Sequence, residues 1–144
     1  MIKQLGYKNA YMFGVVNPLN GDSFGMINSH IGEDFMQIFL TQYSLQLKEN
    51  QHSIMVIDGA GWHHAKSLDV PKNITLHFLP PYCPELNPIE RLWKWIKEHH
   101  LAFKIYKTCD EILEAGFQAW KKINLEIVKS VCASHLANQI MLKN

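Results

Sequence analysis

The feature that most constrains this chain is a short apolar run that ends in an acidic residue. Residues 54–57 read Ile-Met-Val-Ile without a polar interruption, and Asp58-Gly59 follow directly. A continuous apolar run of this length is typical of a strand that is buried on both faces of a sheet. The run therefore predicts a layered α/β fold in which Asp58 lies at the carboxyl end of a central strand.

Further strands are predicted on both sides of this run. Residues 11–17 and 23–28 are separated by a turn that contains Asn20-Gly21, which is typical of an antiparallel hairpin. Residues 74–79 form another apolar segment, and Pro80-Pro81 stop it. We expect a mixed sheet in which the first pair is antiparallel and the later strands are joined by helical crossovers.

Helical periodicity fills the rest of the chain. A stripe of Phe35, Phe39, Tyr43 and Leu47 predicts a helix that begins near Gly32, and a short helical segment is expected at residues 62–68. From residue 87 onward three apolar stripes follow, formed by Ile89, Leu92, Trp93 and Ile96, by Ile112, Leu113, Phe117 and Trp120, and by Ile127, Val131, Leu136 and Ile140. We expect one domain over residues 1–144, with strands and helices up to about residue 100 and C-terminal helices at 109–141.

The composition excludes several classes of protein. Of 144 residues, 47% are hydrophobic, and 14 Lys and Arg nearly balance 13 Asp and Glu, so a disordered chain and a strongly basic nucleic-acid module are excluded. Any contact with DNA must be local. The three cysteines lack CxxC spacing, which favours a reducing cytoplasmic compartment over a disulfide framework or zinc knuckle. No apolar run approaches the ~20 residues of a membrane span.

Two carboxylates occupy positions where α/β proteins place functional groups. Asp58 would lie in the crevice beyond the carboxyl edge of the sheet, although Asp before Gly is also a common turn former. Glu90 would be the third residue of a helix capped by Asn87, where a capping box alone could explain it. Lys94 and Lys97 would lie within about 40° of Glu90 around this helix. They could be ordinary ion-pair partners, or phosphate-binding cations behind a carboxylate ligand.

Eight histidines raise the alternative of a zinc hydrolase. The pairs His63-His64 and His99-His100 consist of adjacent residues, whose side chains diverge on a helix or a strand and cannot chelate as an i,i+4 pair does. A histidine-based zinc site is therefore disfavoured. The tryptophans that keep helical periodicity, Trp93, Trp95 and Trp120, are predicted to serve in packing rather than in base stacking.

Two segments carry more specific motifs. Residues 54–63 read IMVIDGAGWH, and residues 79–93 read LPPYCPELNPIERLW, followed by Ile96-Lys97. Together they closely resemble the DDE transposases of bacterial insertion sequences related to the mariner group, and the 31 residues between Asp58 and Glu90 lie near that group's usual separation. The resemblance extends more loosely over residues 6–28 and the helix after them, so it covers most of the chain.

This resemblance implies a ribonuclease-H-like fold in which three carboxylates hold two Mg²⁺ or Mn²⁺ ions, used to cut DNA and join transposon ends to a target. Asp58 matches the second aspartate and Glu90 the closing acidic residue, so both are expected to be catalytic, metal-binding and within roughly 4 to 8 Å of each other. His63 matches a histidine that commonly follows the second aspartate. With Lys94 and Lys97 it is expected to contact DNA.

The chain departs from the family at the first catalytic aspartate, which belongs on a strand upstream of the hairpin. Asp22 and Asp34 are poor substitutes, because one lies in a predicted turn and the other at a predicted helix start. We expect a catalytic-domain fragment that lacks the first central strand and is inactive alone. Its partners would be DNA and a second transposase chain or an upstream reading-frame product. The alternative is a non-enzymatic fragment that pairs with or inhibits the full-length transposase.

Loss of that central strand would leave the edges of its two neighbours unpaired. The residues before Tyr11 could fill the position, residues 11–17 could pair directly with residues 54–58, or a second chain could donate a strand. Direct pairing is expected, because residues 1–8 contain few β-branched side chains and include Gly6.

Overall fold

The structure is a computed structural model that describes residues 2–4, 11–29, 33–58, 67–80, 86–102 and 104–132. In chain order these residues form β1 (Ile2–Gln4), β2 (Tyr11–Val16), β3 (Ser23–Asn28), α1 (Glu33–Gln46), β4 (Ser53–Asp58), β5 (Ile74–Leu79), α2 (Ile89–Ile96), a π-helical turn (Lys97–Leu101), α3 (Cys109–Lys121) and α4 (Leu125–Cys132). The expected α/β class is confirmed, whereas the described strands form two small sheets, β1–β2–β3 and β4–β5, and the single mixed sheet stays a prediction. The chain divides into two compact units, unit 1 (Met1–Ser29 and Pro88–Asn144) and unit 2 (His30–Asn87).

The predicted hairpin is confirmed, with β2 ending at Val16 rather than at residue 17. β2 and β3 are antiparallel, and Tyr11 is paired with Asn28. In the turn, the Asn17 side-chain oxygen accepts a hydrogen bond from the Leu19 amide at 2.9 Å. Gly21 has a φ of 84°, in the left-handed region that glycine adopts without strain.

The N-terminal residues form a strand that the sequence did not predict. β1 pairs antiparallel with β2, with Ile2 opposite Phe13 and Gln4 opposite Tyr11. Over Tyr11–Phe13, β2 therefore has β1 on one side and β3 on the other. The expected direct pairing of residues 11–17 with residues 54–58 is therefore wrong for Tyr11–Phe13. The edge of β2 that would have paired with residues 54–58 is occupied there by β1. A short strand forms because backbone pairing does not require β-branched side chains.

Helices of unit 1 cover its sheet. The α2 stripe is confirmed, since Ile89, Leu92, Trp93 and Ile96 are all buried, and they share a core with Met12 of β2. Other members of this core are Ile112, Ala119, Val128 and Cys132. The predicted packing role of the tryptophans is also confirmed, because Trp93 is buried in this core and Trp95 and Trp120 pack against it.

Two glycines provide the surface on which Trp120 lies. Gly14 of β2 and Gly25 of β3 are directly opposite each other in the antiparallel ladder. A Cβ atom on Gly25 would lie 2.5 Å from Cε2 of Trp120, and a Cβ on Gly14 would lie 2.9 Å from the Cη2 atoms of Trp93 and Trp120. The indole rings of Trp93 and Trp120 are 5.7 Å apart. The glycine pair therefore permits a close approach of the aromatic layer to the sheet.

The described residues of unit 2 form a parallel pair of strands, β4 and β5, and helix α1. The two strands are parallel, with Ser53 opposite Ile74 and Asp58 opposite Leu79, whereas most of the predicted helical crossover between them lies outside the described residues. The α1 stripe is confirmed at Phe35 and Phe39, which are buried.

Burial of both faces of β4 was expected and is wrong. Met55 and Ile57 are buried, whereas Ile54 is 71% exposed and Val56 42% exposed. The buried face is the one toward α1, because Ser53, which shares it, is 3.1 Å from the Tyr43 hydroxyl.

Several predictions fall at or beyond the limits of these elements. Pro88 has helical backbone angles directly before Ile89 and makes no side-chain capping hydrogen bond, so capping of α2 by Asn87 stays a prediction. Most of the predicted short helix at 62–68 lies outside the described residues, as do Leu136 and Ile140. Phe117 on α3 was assigned to an apolar stripe, but it is 48% exposed. The Lys121 ammonium lies 5.0 Å from the centre of its ring. A single domain over residues 1–144 stays a prediction.

Candidate functional site

Asp58 is the last residue of β4 and belongs to the face of the strand that points away from α1. Side chains alternate along a strand, so Asp58 shares a face with the exposed Ile54 and Val56. Asp58 itself is half-buried. Its carboxylate is therefore positioned at the carboxyl end of a parallel ladder, where α/β proteins place reactive groups.

Hydrogen bonds hold α1 against the β4–β5 ladder and so fix the strand that carries Asp58. Ser44 donates to the side-chain oxygen of Asn73 at 2.6 Å, and the Asn73 amide group donates to the Ser44 carbonyl at 3.1 Å. Gln37 forms a reciprocal pair with the backbone of Asp69, in which both hydrogen bonds are 2.8 Å long. Asn73 and Asp69 both precede β5, so these contacts anchor the entry to the second strand of the ladder.

Glu90 lies in the first turn of α2 and is half-buried. The next residues toward the core, Ile89, Leu92 and Trp93, are fully buried, so the backbone beneath Glu90 is held by packing. A carboxylate in the first turn of a helix is stabilised by the partial positive charge of the unpaired amides there. This position explains why a negative charge is tolerated beside a buried apolar stripe.

The two lysines that follow Glu90 differ in their surroundings. The Lys94 ammonium lies 3.9 Å from the carboxylate of Glu98, in an exposed i,i+4 pair. Such pairs contribute little to stability in water, so the Lys94 ammonium could leave Glu98 for another anionic group at little cost in stability. Lys97 is half-buried and begins the π-helical turn.

Two adjacent histidines, His99 and His100, lie within the π-helical turn and both contact Trp95. The His99 ring stacks on Trp95 with centroids 4.5 Å apart, and a ring nitrogen of His99 is 2.9 Å from the Trp95 carbonyl oxygen. The His100 ring meets Trp95 edge-on at 5.1 Å. Both rings therefore contact the same indole, and the expected divergence of the two adjacent side chains stays a prediction.

The part of the chain that the structure describes contains no group of three or more His, Cys, Asp or Glu side chains that could hold a metal ion. The two expected ligands, Asp58 and Glu90, offer carboxylate oxygens, the donor type that Mg²⁺ and Mn²⁺ prefer. His63, the third expected site residue, lies outside the described residues. The chemistry of the donors therefore fits a hard divalent cation.

Sequence reasoning missed a groove of about 610 Å³ beside α3. His100, Tyr106 and Lys122 line it, and neither the His100 Nε2 atom nor the Tyr106 hydroxyl has a hydrogen-bond partner among the described residues. Burial lowers the pKa of His100, as do the nearby cations, Lys122 first among them. Burial also raises the pKa of Tyr106. No motif in the sequence indicates such a groove, because it depends on how the π-helical turn meets α3.

Comparison with known proteins gives a family and a relative. A sequence model of the family described as DDE superfamily endonuclease matches residues 4–113. A protein of Sinorhizobium fredii, described as uncharacterized protein y4pE/y4sA, is 38% identical over 114 residues, which cover 79% of this chain and 84% of the relative. No solved structure matches the chain. The segment matched by the family includes both Asp58 and Glu90.

Proposed function

The chain belongs to the DDE superfamily endonucleases, and on this premise we propose that it is part of the catalytic domain of a transposase, which cuts DNA and transfers the cut strand. The observation that carries the proposal is the family match over residues 4–113, which spans both candidate carboxylates. Membership supports a transposase-type nuclease.

The proposed fold is a ribonuclease-H-like sheet within one domain over residues 1–144. Two observations support it: an antiparallel pair, β2 and β3, comes first in the chain, and a parallel pair, β4 and β5, comes later. We propose that the first central strand of this sheet, with the first catalytic aspartate, is supplied by a second transposase chain or an upstream reading-frame product, since residues 1–10 contain no carboxylate side chain.

Asp58 and Glu90 are the proposed metal-binding and catalytic residues. Each is a half-buried carboxylate at the end of a regular element, one closing a strand and the other opening a helix, so packing holds its backbone in place. Two divalent ions, when bound by such carboxylates, polarise the attacking and leaving oxygens at phosphorus. The contribution of this chain is to hold acceptor oxygens in fixed positions before substrate arrives.

Lys94, Lys97 and His63 are the proposed contacts to DNA. Lys94 is exposed and its pairing with Glu98 is long, at 3.9 Å, so a phosphate group can replace that partner at small cost. The two lysines would also attract the phosphate backbone of DNA. Without such cations, the carboxylates of Asp58 and Glu90 would repel it.

Asp22, in the hairpin turn, and Asp34, in the first helix, are not suited to complete the site. Asp22 is exposed in the β2–β3 turn, where its carboxylate accepts a hydrogen bond from the Asn20 side chain at 2.9 Å. Asp34 is exposed in the first turn of α1. We propose that the chain alone binds Mg²⁺ only in the millimolar range and does not cut DNA.

Metal binding tests the two carboxylates directly. Mn²⁺ would be titrated into the chain while free ion is followed by electron paramagnetic resonance, for the parent and for Asp58→Asn and Glu90→Gln. We expect weak binding that each substitution abolishes. The matched controls are Asp69→Asn and Glu126→Gln, which remove one exposed carboxylate each and should leave the titration unchanged. Equal binding by all five proteins would refute the assignment.

Strand cleavage then separates the two candidate functions. The chain would be mixed with supercoiled plasmid and Mn²⁺, with and without a transposase segment that supplies an aspartate-bearing first strand. Nicking only in the complemented mixture, and its loss in Asp58→Asn, would support the catalytic proposal. If the chain instead binds and inhibits a full-length transposase without ever supporting cleavage, the non-enzymatic alternative is correct.

A further inference from the structure

The outer edge of β5, away from β4, presents backbone groups without a partner among the described residues. The Ser53 amide donates to the Asn73 carbonyl at 2.8 Å, and Ser53 is opposite Ile74 in the parallel ladder. Backbone groups of successive strand residues point to alternate edges, so the N–H and C=O groups of Leu76 and Phe78 point away from β4. These four groups form no hydrogen bond with the residues that the structure describes.

β5 also lacks the features that protect most edge strands from pairing. Its six residues, Ile74–Leu79, read ITLHFL and include no Lys, Asp, Glu or Pro. Its register with β4 is continuous over the whole strand, so no bulge bends it. Charged side chains, prolines and bulges are the usual means of blocking an edge. A regular and uncharged edge of this length is suited to accept another strand.

Two side chains beside this edge are exposed, one on each face of the sheet. Phe78 is opposite Ile57 and therefore lies on the face toward α1, but Phe78 is 38% exposed whereas Ile57 is 1% exposed. His77 is opposite Val56 on the other face, and it is exposed as well. The packing that buries Ile57 therefore does not extend to the edge. A strand that paired here would cover part of both side chains.

We propose that β5 pairs antiparallel with β5 of a second copy of the chain, across a two-fold axis at His77. In this register Leu76 of each copy is opposite Phe78 of the other, and the four outward groups of each strand all form hydrogen bonds. The two His77 side chains lie directly opposite each other, and Phe78 gains an aliphatic neighbour. Because one patch of surface pairs with itself, the assembly closes as a dimer.

Other registers of the same two strands leave a carbonyl unpaired. With the axis at Leu76, Phe78 would be opposite Ile74. The Ile74 amide already donates to the Pro71 carbonyl at 3.0 Å, so it could not serve the Phe78 carbonyl. With the axis at Phe78, Leu76 would be opposite Pro80, which has no N–H. An unpaired polar group carries a desolvation cost, and the complete pairing of the proposed register is what favours a second copy over an unrelated strand.

The outer edge of β4 is a different case. The proposed fold gives that edge to the first central strand, and β4 ends in the carboxylate of Asp58. The choice of β5 rests on the proposed function only in this respect. The contact itself involves described residues of unit 2 alone, and its short length indicates a weak dimer, of the class that buries less than about 1,200 Å².

A charge exchange at His77 tests the two-fold register. Sedimentation velocity over a series of concentrations would be recorded for the full chain, for His77→Lys, for His77→Glu and for an equimolar mixture of the two variants. We expect the parent to dimerise, and each variant to dimerise about fivefold more weakly because like charges face each other. The mixture should regain at least the affinity of the parent. His77 is exposed, so neither substitution disturbs folding.

The matched control is the same exchange at Thr75. Thr75 is exposed on the same face of β5, but in the proposed register it is opposite Leu79 of the other copy. Mixing Thr75→Lys with Thr75→Glu should therefore restore nothing, since the two new charges do not meet. Phe78→Ser should also weaken dimerisation, whereas Ile54→Ser, which removes an exposed side chain of β4, should not.

Hydrogen exchange identifies the edge independently. The amides of Leu76 and Phe78 should exchange more slowly as the protein concentration rises, because the second copy accepts their hydrogen bonds. The amides of Ile54 and Val56 point to the outer edge of β4 and should be unaffected.

The proposal is overturned by a parent chain that sediments as a monomer throughout, by equal dimerisation of the parent and both His77 variants, or by a mixture that regains no affinity. Species larger than a dimer, or slower exchange at Ile54 and Val56, would also overturn it, because association would then involve the β4 edge. None of these measurements involves cleavage. Failure of the dimer therefore leaves the nuclease proposal intact, and the effect of Asp58→Asn on complemented cleavage decides that proposal separately.

Discussion

The contact between Gly25 and Trp120 allows a quantitative test of the packing in unit 1. In Gly25→Ala, the new Cβ would lie 2.5 Å from Cε2, 2.8 Å from Cζ2 and 2.9 Å from Cδ2 of the indole. Ordinary carbon contacts are about 3.5–4.0 Å, so the ring would have to withdraw by about 1 Å. It cannot do so freely, because Trp120 also lies against Gly14 and beside Trp93.

Two opposing effects decide the size of the change. Replacing glycine by alanine restricts the unfolded chain and can stabilise a protein by about 0.4–1 kcal/mol where the backbone permits it. Overpacking of a close-packed core typically costs about 1–3 kcal/mol. Because three atoms of a rigid ring are involved, we expect the second effect to dominate, with a net loss of about 1–2 kcal/mol in the free energy of unfolding. Urea denaturation followed by circular dichroism measures this loss.

A double-mutant cycle distinguishes this contact from a general intolerance of the strand. Trp120→Leu removes the ring, so Gly25→Ala should cost little in that background, and the double variant should be more stable than the sum of the single losses predicts. Additive losses would show that the cost of alanine arises elsewhere. A Gly25→Ala protein as stable as the parent would refute the packing argument altogether.

Three further predictions concern single side chains of unit 1. Thr108→Ala should lower the free energy of unfolding by about 1 kcal/mol in urea denaturation, because Thr108 caps α3 through the Glu111 amide; an unchanged value would contradict the cap. Burial raises the pKa of Cys132 to about 11, so Ellman's reagent at pH 8 should modify this thiol only after unfolding. Cys109 is half-buried and should react first, and peptide mass spectrometry identifies which cysteine is modified. The lowered pKa of His100 means that the unfolded chain binds more protons below pH 6.5, so stability should be complete above pH 6.5 and fall as the pH drops below it. His100→Gln should flatten that fall, and parallel pH profiles would exclude His100 as its source.

The elements that were predictable from sequence are those determined by local pattern. Asn20-Gly21 specifies a turn chemically, and the α2 stripe is dense enough to identify the buried side of a helix without knowledge of its neighbours. The exposure of one face of β4 was not predictable, because an apolar run does not show whether one face of a strand is buried or both. β1 has too few residues for any pattern, and its pairing depends on an edge that β2 happens to offer.

In the candidate site too, some features follow from the local sequence, and others depend on contacts between residues that are distant in sequence. Asp58 and Glu90 could be named as candidates because each lies at the boundary of an element that the sequence predicts, after an apolar run in one case and after prolines in the other. The groove beside α3 could not be predicted, since it follows from the π-helical turn and from contacts between residues far apart in sequence. No local signature marks a π-helical turn.

Unit 1 is built from two segments of the chain that are separated in sequence by unit 2, and this order affects folding during synthesis on the ribosome. Its sheet is made first, but the helices that supply its core are made only after all residues of unit 2 have been synthesised. Until those helices are made, the sheet of β1, β2 and β3 lacks the side chains that bury its apolar face, so the nascent chain carries exposed apolar strands during that interval. Unit 2 is contiguous and can form its contacts at once. Slow translation between residues 30 and 87 would therefore lengthen the period in which chaperones must protect the amino-terminal strands.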